Sequence, residues 1–192
     1  MKRNIIVAQK AIKPEICNYI VELAKPHFQE SKIGFGDKGG VDHNVRRSET
    51  FWINSFVQHL EVYQPIIELV RQVNQQYYGF DLINPEALQV TKYDEKNQGF
   101  YKPHIDGVYD EVPIQNDTVV RKLSMSIQLT SPEYYEGGRF QFPDDSEKFK
   151  EEDSLAQGTV IFFPSYLKHG VTPVTKGIRY SLVCWWLGPL FK

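Results

Sequence analysis

The chain has 192 residues, a length that suits one domain with a hydrophobic core and is short for two. Apolar residues make up 41% and charged residues 24%, and the formal charge of -2 argues against a general binder of nucleic-acid backbones. Cys17 and Cys184 form no CxxC pair, so we expect neither structural zinc nor a disulfide framework, and we predict a reducing, cytoplasmic compartment. The apolar run near the N-terminus is too short for a signal peptide or a membrane span, so no membrane partner is expected.

The first half of the chain predicts two amphipathic helices with one strand between them. Apolar residues recur at helical spacing in KPEICNYIVELAK, where Pro14 falls in the first turn. The same pattern recurs in PIIELVRQVNQQYYGF, with Pro65 at its start and Gly79 near its end. The segment RRSETFWIN, which lies between them, reads as a single strand.

From residue 86 onwards the chain reads as short strands. Seven segments are rich in β-branched or aromatic residues and are separated by turn signals: EALQVTKYD, GFYKPHID, RKLSMSIQLT, GRFQF, GTVIFFP, KHGVTPV and IRYSLVCWWL. Helices therefore gather in the first half and strands in the second. This order predicts an α+β, mainly β fold with an antiparallel sheet or barrel, in one domain over residues 1–192.

His104 and Asp106 are the first candidate ligands of a metal ion. They lie two positions apart in FYKPHID, and residues i and i+2 of a strand point to the same face, so both could reach one ion. His59 and Glu61 have the same spacing, but their region reads as helical, where such a pair is separated by about 200° around the axis. An HxD pair alone is more often an ordinary pair on a surface strand, so a third ligand is needed to support the site.

His169 is the candidate for that third ligand. It follows an apolar strand that ends at Pro164 and precedes another strand, whereas His27 falls at a helix end and His43 in a glycine-rich loop. Two histidines and one carboxylate on a β scaffold are typical of non-haem Fe(II) sites, which leave coordination positions open. Zinc more often takes cysteines or a pair of histidines on a helix. For His169 alone, the simpler interpretation is a turn histidine bonded to the backbone.

Arg179, ten positions after His169, is a candidate anion-binding residue. The alternation of a strand puts it on one face with Ser181, Val183 and Trp185. A buried guanidinium is costly unless an anion pairs with it, and no acidic residue lies nearby in the sequence. Because arginine holds a carboxylate through two parallel hydrogen bonds, a dicarboxylate could chelate the metal and reach Arg179. The alternative is an arginine paired with a distant acidic residue.

Taken in order, these residues resemble the 2-oxoglutarate- and Fe(II)-dependent dioxygenases, most closely those of the prolyl 4-hydroxylase type. The strands LSMSIQL, YYEGGRFQF and GTVIFFPSYLKHGVTPVTKGIRYSLVCWW are also similar to that family. The resemblance covers most of the chain and is most specific from about Gln89 to Trp186. It implies a double-stranded β-helix, a cupin-like jelly roll, with the dioxygenase core at residues 86–188 and a supporting region of helices and strands at residues 1–85.

The resemblance also implies roles for individual residues. His104, Asp106 and His169 match the iron ligands and catalytic residues, and Arg179 matches the residue that binds the distal carboxylate of 2-oxoglutarate. Two further co-substrate contacts are implied, by Tyr93 and Gln128. Tyr93 matches a tyrosine that often lines the co-substrate pocket. Gln128 takes a pocket-facing place where relatives often have tyrosine, and Val183 takes one where some have threonine.

The activity implied is hydroxylation of a C–H bond, with Fe(II), the co-substrates 2-oxoglutarate and O2, the co-products succinate and CO2, and ascorbate as a candidate reductant. The expected target is a proline in a peptide or protein. The alternatives are a free amino acid, another small molecule or a nucleobase. A non-catalytic cupin-like binding module is the alternative from another class, and the complete ligand set together with Arg179 counts against it.

Loops, a basic segment and three tryptophans are candidates for the surroundings of the site. The loops at 33–44 and 107–119 are the expected lids over a substrate groove. Arg46, Arg47 and Ser48 could line such a groove, but an exposed basic strand is the simpler interpretation. Three tryptophans are expected to pack rather than to recognise substrate: Trp52, Trp185 and Trp186.

Overall fold

The computed structural model describes residues 5–34, 40–106, 112–114 and 117–190. These ranges contain two α-helices, several short 3-10 turns and two antiparallel sheets. In this part of the chain no helix is both long enough and apolar enough to cross a membrane.

The first helix, α1 (Pro14–Ala24), begins at the proline that the sequence predicts for its first turn. Proline fits there because the first N–H groups of a helix have no partner within the helix. The helix packs on one face of the larger sheet through its buried residues, which are Cys17, Ile20, Val21 and Ala24.

The second helix, α2 (Leu60–Val73), begins five residues before Pro65, so the predicted start was wrong. Packing stabilises the turn that precedes the proline: Tyr63 is buried, and its hydroxyl donates to the carbonyl of Ile53 at 2.6 Å. After a short π-helical turn the chain turns away at Gly79, whose φ of 64° suits glycine, and this end agrees with the prediction.

The strands, in chain order, are β1 (Ile6–Ala8), β2 (Gln29–Glu30), β3 (Arg46–Arg47), β4 (Glu49–Ile53), β5 (Leu88–Asp94), β6 (Phe100–His104), β7 (Val112–Ile114), β8 (Asp117–Gln128), β9 (Tyr135–Gly137), β10 (Phe140–Gln141), β11 (Val160–Pro164), β12 (His169–Val171) and β13 (Val174–Pro189). Each of the seven segments predicted as strands overlaps one of them. The mainly β, antiparallel architecture is therefore as predicted.

The strands form a major and a minor sheet. The major sheet has the order β1-β11-β8-β13-β5-β4-β2, with β7 paired to β8 and β9 paired to β13. The minor sheet has the order β10-β12-β6-β3. The long strand β13 pairs with β8 and β5, so it lies in the middle of the major sheet.

Side chains that alternate across the major sheet give the molecule two hydrophobic cores. On the outer face, Leu182 and Cys184 of β13 belong to the core that contains α1 and α2. On the inner face lies a second, aromatic core that includes Phe140, Phe142 and Phe163. This inner core packs beside the functional residues described below.

The segment RRSETFWIN forms two strands in different sheets rather than the single strand predicted. Strand β3 belongs to the minor sheet and β4 to the major sheet, and the chain crosses between them at Ser48. The buried Ser48 hydroxyl lies 2.8 Å from that of Ser31 and accepts a hydrogen bond from Arg46 Nε at 2.7 Å. These bonds satisfy polar groups that the crossing buries.

Candidate active site

His104 and His169 face each other across the minor sheet, since β6 and β12 pair them as directly opposed residues. Each imidazole lies 2.9 Å, through Nδ1, from a backbone carbonyl: His104 from that of Lys102, and His169 from that of Leu167. Because a carbonyl only accepts hydrogen bonds, Nδ1 of each ring carries the proton. Both Nε2 atoms are therefore left with a lone pair that can bind a metal.

Asp106 completes the cluster from a position just beyond the end of β6. The expectation that it lies within the strand was wrong, because β6 ends at His104. A hydrogen bond from the Asp106 N–H to the carbonyl of Ser165, at 3.1 Å, fixes the backbone there. The carboxylate oxygens lie 3.5 Å from His104 Nε2 and 3.4 Å from His169 Nε2. One ligand atom from each of the three residues lies within 4.8 Å of the others, so the group could hold one metal ion.

The protonation states of the cluster suit metal binding. Burial opposes ionisation of Asp106, but the positive charge that His169 and His104 carry when they are protonated outweighs it and holds the pKa of the carboxyl below its usual range. Burial also lowers the pKa of His169 to about 4. A carboxylate with a neutral imidazole at neutral pH is the form that binds a cation, and two histidines with one carboxylate fit Fe(II) with open positions.

Aromatic rings hold the two imidazoles in place. The ring of Phe140 is nearly parallel to that of His169, at 5.5 Å and 9°, and the Phe163 ring packs at 4.5 Å on the same imidazole. On the other side of the cluster, Tyr101 stacks on His104 with ring centroids 3.6 Å apart. These contacts limit rotation of the candidate ligands and keep one side of the cluster apolar.

Arg179 lies on the inner face of β13, as the alternation predicts, and is only 3% exposed. Its Nε donates to Gln128 Oε1 at 3.0 Å, and its guanidinium lies 5.6 Å from the centre of the Tyr93 ring. Its buried Nη1 has no hydrogen-bond partner within the described residues. An unsatisfied buried donor of this kind suits an anion such as a carboxylate.

Gln128 holds Arg179 instead of lining the cavity. Its Nε2 donates to the carbonyl of Thr130 at 2.8 Å and to the Tyr135 hydroxyl at 3.1 Å, which fixes Oε1 toward Arg179. Both ends of the amide are thus engaged within the protein. A direct contact between Gln128 and a co-substrate stays a prediction, whereas Tyr93 does lie on the cavity wall.

A cavity of about 610 Å³ opens beside the cluster. Its wall includes the three candidate ligands, together with Tyr93 and the inner-face residues Ser181, Val183 and Trp185 of β13. Lys32, Ile33 and Gly34 also contribute, which places the start of the first expected lid at the cavity. Parts of the two expected lids, at 35–39, 107–111 and 115–116, lie outside the described residues. The other expected loop also contains β7 and the start of β8, so it is not wholly a loop.

The sequence interpretation missed part of this wall. Arg46 is buried and lines the cavity, so the preferred interpretation as an exposed basic strand was wrong for this residue. Trp52 and Trp185 also line the cavity, with ring centroids 6.0 Å apart. One signal in the sequence could have revealed Arg46: it lies two positions before Ser48, a spacing that puts both side chains on one face of a strand.

An ion pair next to the tryptophans belongs to the same wall. Arg121 donates two hydrogen bonds to the carboxylate of Glu86, at 2.5 and 2.6 Å, and its guanidinium lies 3.9 Å from the centre of the Trp185 ring. Within the described residues the buried Trp185 Nε1 has no hydrogen-bond partner. The wall thus combines aromatic surface with an internal ion pair. The residues that form it are far apart in the sequence, so no local spacing could have revealed them.

Comparison with known proteins identifies the class to which this fold and site belong. The model of the 2OG-Fe(II) oxygenase superfamily matches residues 88–187. PKHD-type hydroxylase YbiX of Shigella dysenteriae serotype 1 (strain Sd197) is 31% identical over 173 residues, which are 89% of this chain and 72% of that protein. The protein of the same name from Escherichia coli (strain SMS-3-5 / SECEC) has the same identity and coverage. The chain therefore belongs to the 2OG-Fe(II) oxygenase superfamily.

Solved structures agree with this assignment at the level of the fold. The viral collagen prolyl hydroxylase vCPH from Paramecium Bursaria Chlorella virus-1 superposes with a TM-score of 0.69 at 22% identity, covering 98% of this chain and 97% of its own. A Pseudomonas putida prolyl-4-hydroxylase gives 0.67 at 15% identity, covering 96% and 92%. The predicted double-stranded β-helix is thereby confirmed. The predicted class of enzyme, a 2-oxoglutarate-dependent dioxygenase, is confirmed by the family model and the similar hydroxylases.

Proposed function

We propose that this enzyme hydroxylates a peptidyl proline, with Fe(II) held by His104, Asp106 and His169 and the distal carboxylate of 2-oxoglutarate on Arg179. The observation that carries the proposal is a pair of unsatisfied buried atoms. Asp106 Oδ2 and Arg179 Nη1 both lack a hydrogen-bond partner within the described residues. A divalent cation would satisfy the first and a carboxylate the second.

The residues of the chain have separate tasks in this reaction. When bound, iron and 2-oxoglutarate, with O2, supply the oxidising chemistry, and succinate and CO2 are the co-products. His104 and His169 present fixed Nε2 atoms, and Arg179 orients the co-substrate through a guanidinium that Gln128 keeps in place. The phenylalanines around His169 exclude water from one side of the cluster. Ascorbate is the proposed reductant that keeps the iron in its Fe(II) form.

The cavity and the similar proteins support a peptide substrate. The wall beside the metal candidates has a paired aromatic surface, Trp52 and Trp185, that can pack against a proline ring. Two solved neighbours are named as prolyl hydroxylases. A third, from Trichoplax adhaerens, is in complex with a peptide fragment of hypoxia inducible factor and has a TM-score of 0.68 at 14% identity.

The cytoplasmic location and the division at residues 85/86 stay predictions. Hydroxylation of a free amino acid, another small molecule or a nucleobase is the competing outcome of the substrate test.

Succinate formation tests the co-substrate half of the proposal. The wild type should convert 2-oxoglutarate to succinate with Fe(II) and ascorbate, His104→Ala should lose iron binding, and Arg179→Ala should bind 2-oxoglutarate more weakly. Arg47→Gln is a matched control, because Arg47 bonds to the carbonyls of His43 and Asn97 outside the cavity wall. A wild type that binds neither iron nor 2-oxoglutarate would contradict the proposal.

Mass spectrometry tests the substrate half. Peptides that contain proline should gain one oxygen, about 16 Da in mass, in a reaction that requires both Fe(II) and 2-oxoglutarate. The site of modification should map to proline by fragmentation. If peptides remain unmodified while free proline or another small molecule is oxidised, the peptide preference is wrong.

A further inference from the structure

Arg46 is a buried cation whose hydrogen-bond partners are all neutral. It is 8% exposed. Its Nε donates to Ser48 Oγ at 2.7 Å, and its Nη2 donates to Gln89 Oε1 at 2.9 Å and to Thr91 Oγ1 at 3.5 Å. Within the described ranges it forms no ion pair with a carboxylate, and its Nη1 makes no hydrogen bond. A guanidinium withdrawn from water in this way is costly until an anion joins it.

The position of Arg46 places this unmatched charge next to the candidate metal centre. The guanidinium carbon lies 4.6 Å from the centre of the Tyr101 ring. His104 stacks on the same ring at 3.6 Å. Arg46 also lines the cavity itself. A substrate whose target C–H bond lies at the metal would therefore have its adjacent groups within reach of Arg46.

The charges around the cavity do not cancel. The charged side chains on its wall are Lys32, Arg46, Glu86, Asp106 and Arg121. Glu86 is neutralised by Arg121 through two hydrogen bonds. Under the proposed function, one carboxylate of the protein and one of 2-oxoglutarate neutralise Fe(II), and Arg179 takes the distal carboxylate. Lys32 and Arg46 then remain positive. Since Lys32 is exposed and screened by water, the unmatched charge that matters is that of Arg46.

We propose that the substrate brings a carboxylate to Arg46. The inference rests on the proposed function and narrows it: the target proline has a carboxylate close to it, on the side chain of a neighbouring Asp or Glu, at a free C-terminus, or on a free amino acid. These sources share one chemistry, a carboxylate accepting hydrogen bonds from the open Nη1 edge of a pre-positioned guanidinium. Ser48, Gln89 and Thr91 are positioning residues that hold the guanidinium through its Nε and Nη2.

A panel of matched peptides identifies the source of the carboxylate. The background is an acetylated and amidated alanine peptide with one central proline. Glutamate is placed in turn at each position that flanks the proline, and each peptide has a glutamine twin. Further members end in a free carboxylate or an amide directly after the proline, and free proline is compared with prolinamide. Oxygen incorporation is measured by mass spectrometry, and binding to the Mn(II)- and 2-oxoglutarate-loaded protein is measured by calorimetry.

The wild type should favour at least one carboxylate compound over its neutral twin by about tenfold or more in kcat/KM and in affinity. Arg46→Gln should reduce this ratio to within about twofold, mainly by lowering the rate with the carboxylate member. Arg46→Lys, which keeps the charge and loses the planar fork, should retain part of the preference. Arg47→Gln, which changes the neighbouring arginine outside the cavity wall, should leave the ratio unchanged.

The outcomes separate the inference from the function on which it rests. Hydroxylation of the peptides with no preference for any carboxylate compound over its neutral twin overturns the inference while the peptidyl hydroxylase proposal stands. Preference for free proline over prolinamide, with peptides untouched, supports the carboxylate site and overturns the peptide substrate. If no carboxylate compound binds better than its twin, or if Arg46→Gln keeps the wild-type ratio while it binds Mn(II) and 2-oxoglutarate normally, the inference is overturned.

Discussion

His104 and His169 occupy opposed positions on β6 and β12, and their ring centroids lie 4.4 Å apart. Each ring donates its Nδ1–H to the carbonyl two residues before it, at 2.9 Å. The backbone of two paired strands therefore sets the tautomer and the direction of both candidate ligands. Asp106 adds the only charge of the three, from a bend held by Ser165.

Replacing Asp106 with asparagine should remove most of the affinity for iron. The change keeps the size of the side chain but removes the negative charge that attracts a cation, so we expect a loss of about 100-fold or more in Fe(II) affinity. Metal content after dialysis against limiting Fe(II) measures the effect. Asp94→Asn is the matched control, because Asp94 accepts a hydrogen bond from Lys96 N in a turn. Equal iron content in the wild type and Asp106→Asn would contradict the assignment.

Replacing Gln128 with glutamate should weaken 2-oxoglutarate binding without affecting the metal. A carboxylate at the position of Oε1, 3.0 Å from Arg179 Nε, would pair with the guanidinium and compete with the co-substrate. We expect the Kd of 2-oxoglutarate to rise by about tenfold or more, with a smaller rise for Gln128→Ala. Calorimetry on the Mn(II)-loaded protein measures both, and Gln64→Glu, at an exposed position of α2, is the control. An unchanged Kd in Gln128→Glu would show that Gln128 does not position Arg179.

The metal-free protein should lose stability as the pH falls from 6.5 toward 4. Burial lowers the pKa of His169 to about 4 from an ordinary 6.5, so across this window the unfolded chain binds a proton that the folded chain excludes. One such group costs about 1.4 kcal/mol per pH unit, or about 2 kcal/mol between pH 6.5 and pH 5. The lowered pKa of Asp106 acts in the same direction at lower pH.

Thermal unfolding in the presence of a chelator measures this effect. The Tm of the wild type should fall between pH 7 and pH 5, and His169→Gln should show a smaller fall because its side chain does not titrate. Equal falls in Tm for the two proteins would mean that His169 is not the group responsible.

The sequence predicted the elements whose pattern is local. The alternation of β13 correctly put Arg179 on the inner face with Ser181 and Val183, and the order of the strands indicated an antiparallel, mainly β fold. HxD spacing correctly paired His104 with Asp106, although the carboxylate reaches the cluster from a bend instead of from the strand.

Features that depend on contacts between distant segments could not be predicted from the sequence. Arg46 is buried because the chain changes sheets at Ser48, and no local pattern marks such a crossing. Gln128 meets Arg179 only because β8 and β13 are neighbours, and this pairing gives the glutamine a supporting role. The early start of α2 likewise depends on packing of Tyr63, which outweighs the proline signal five residues into the helix.

The most direct test of the proposed site compares two co-substrates that differ only in the distal carboxylate. Calorimetry under anaerobic conditions would measure binding of 2-oxoglutarate and 2-oxobutyrate to the Fe(II)-loaded wild type, Arg179→Gln and the control Arg47→Gln. We predict that the wild type and Arg47→Gln prefer 2-oxoglutarate by about 100-fold, that Arg179→Gln loses nearly all of this preference, and that removing Fe(II) weakens binding of both compounds. An equal preference in Arg179→Gln and the wild type, or binding that is independent of the metal, would contradict the proposed site.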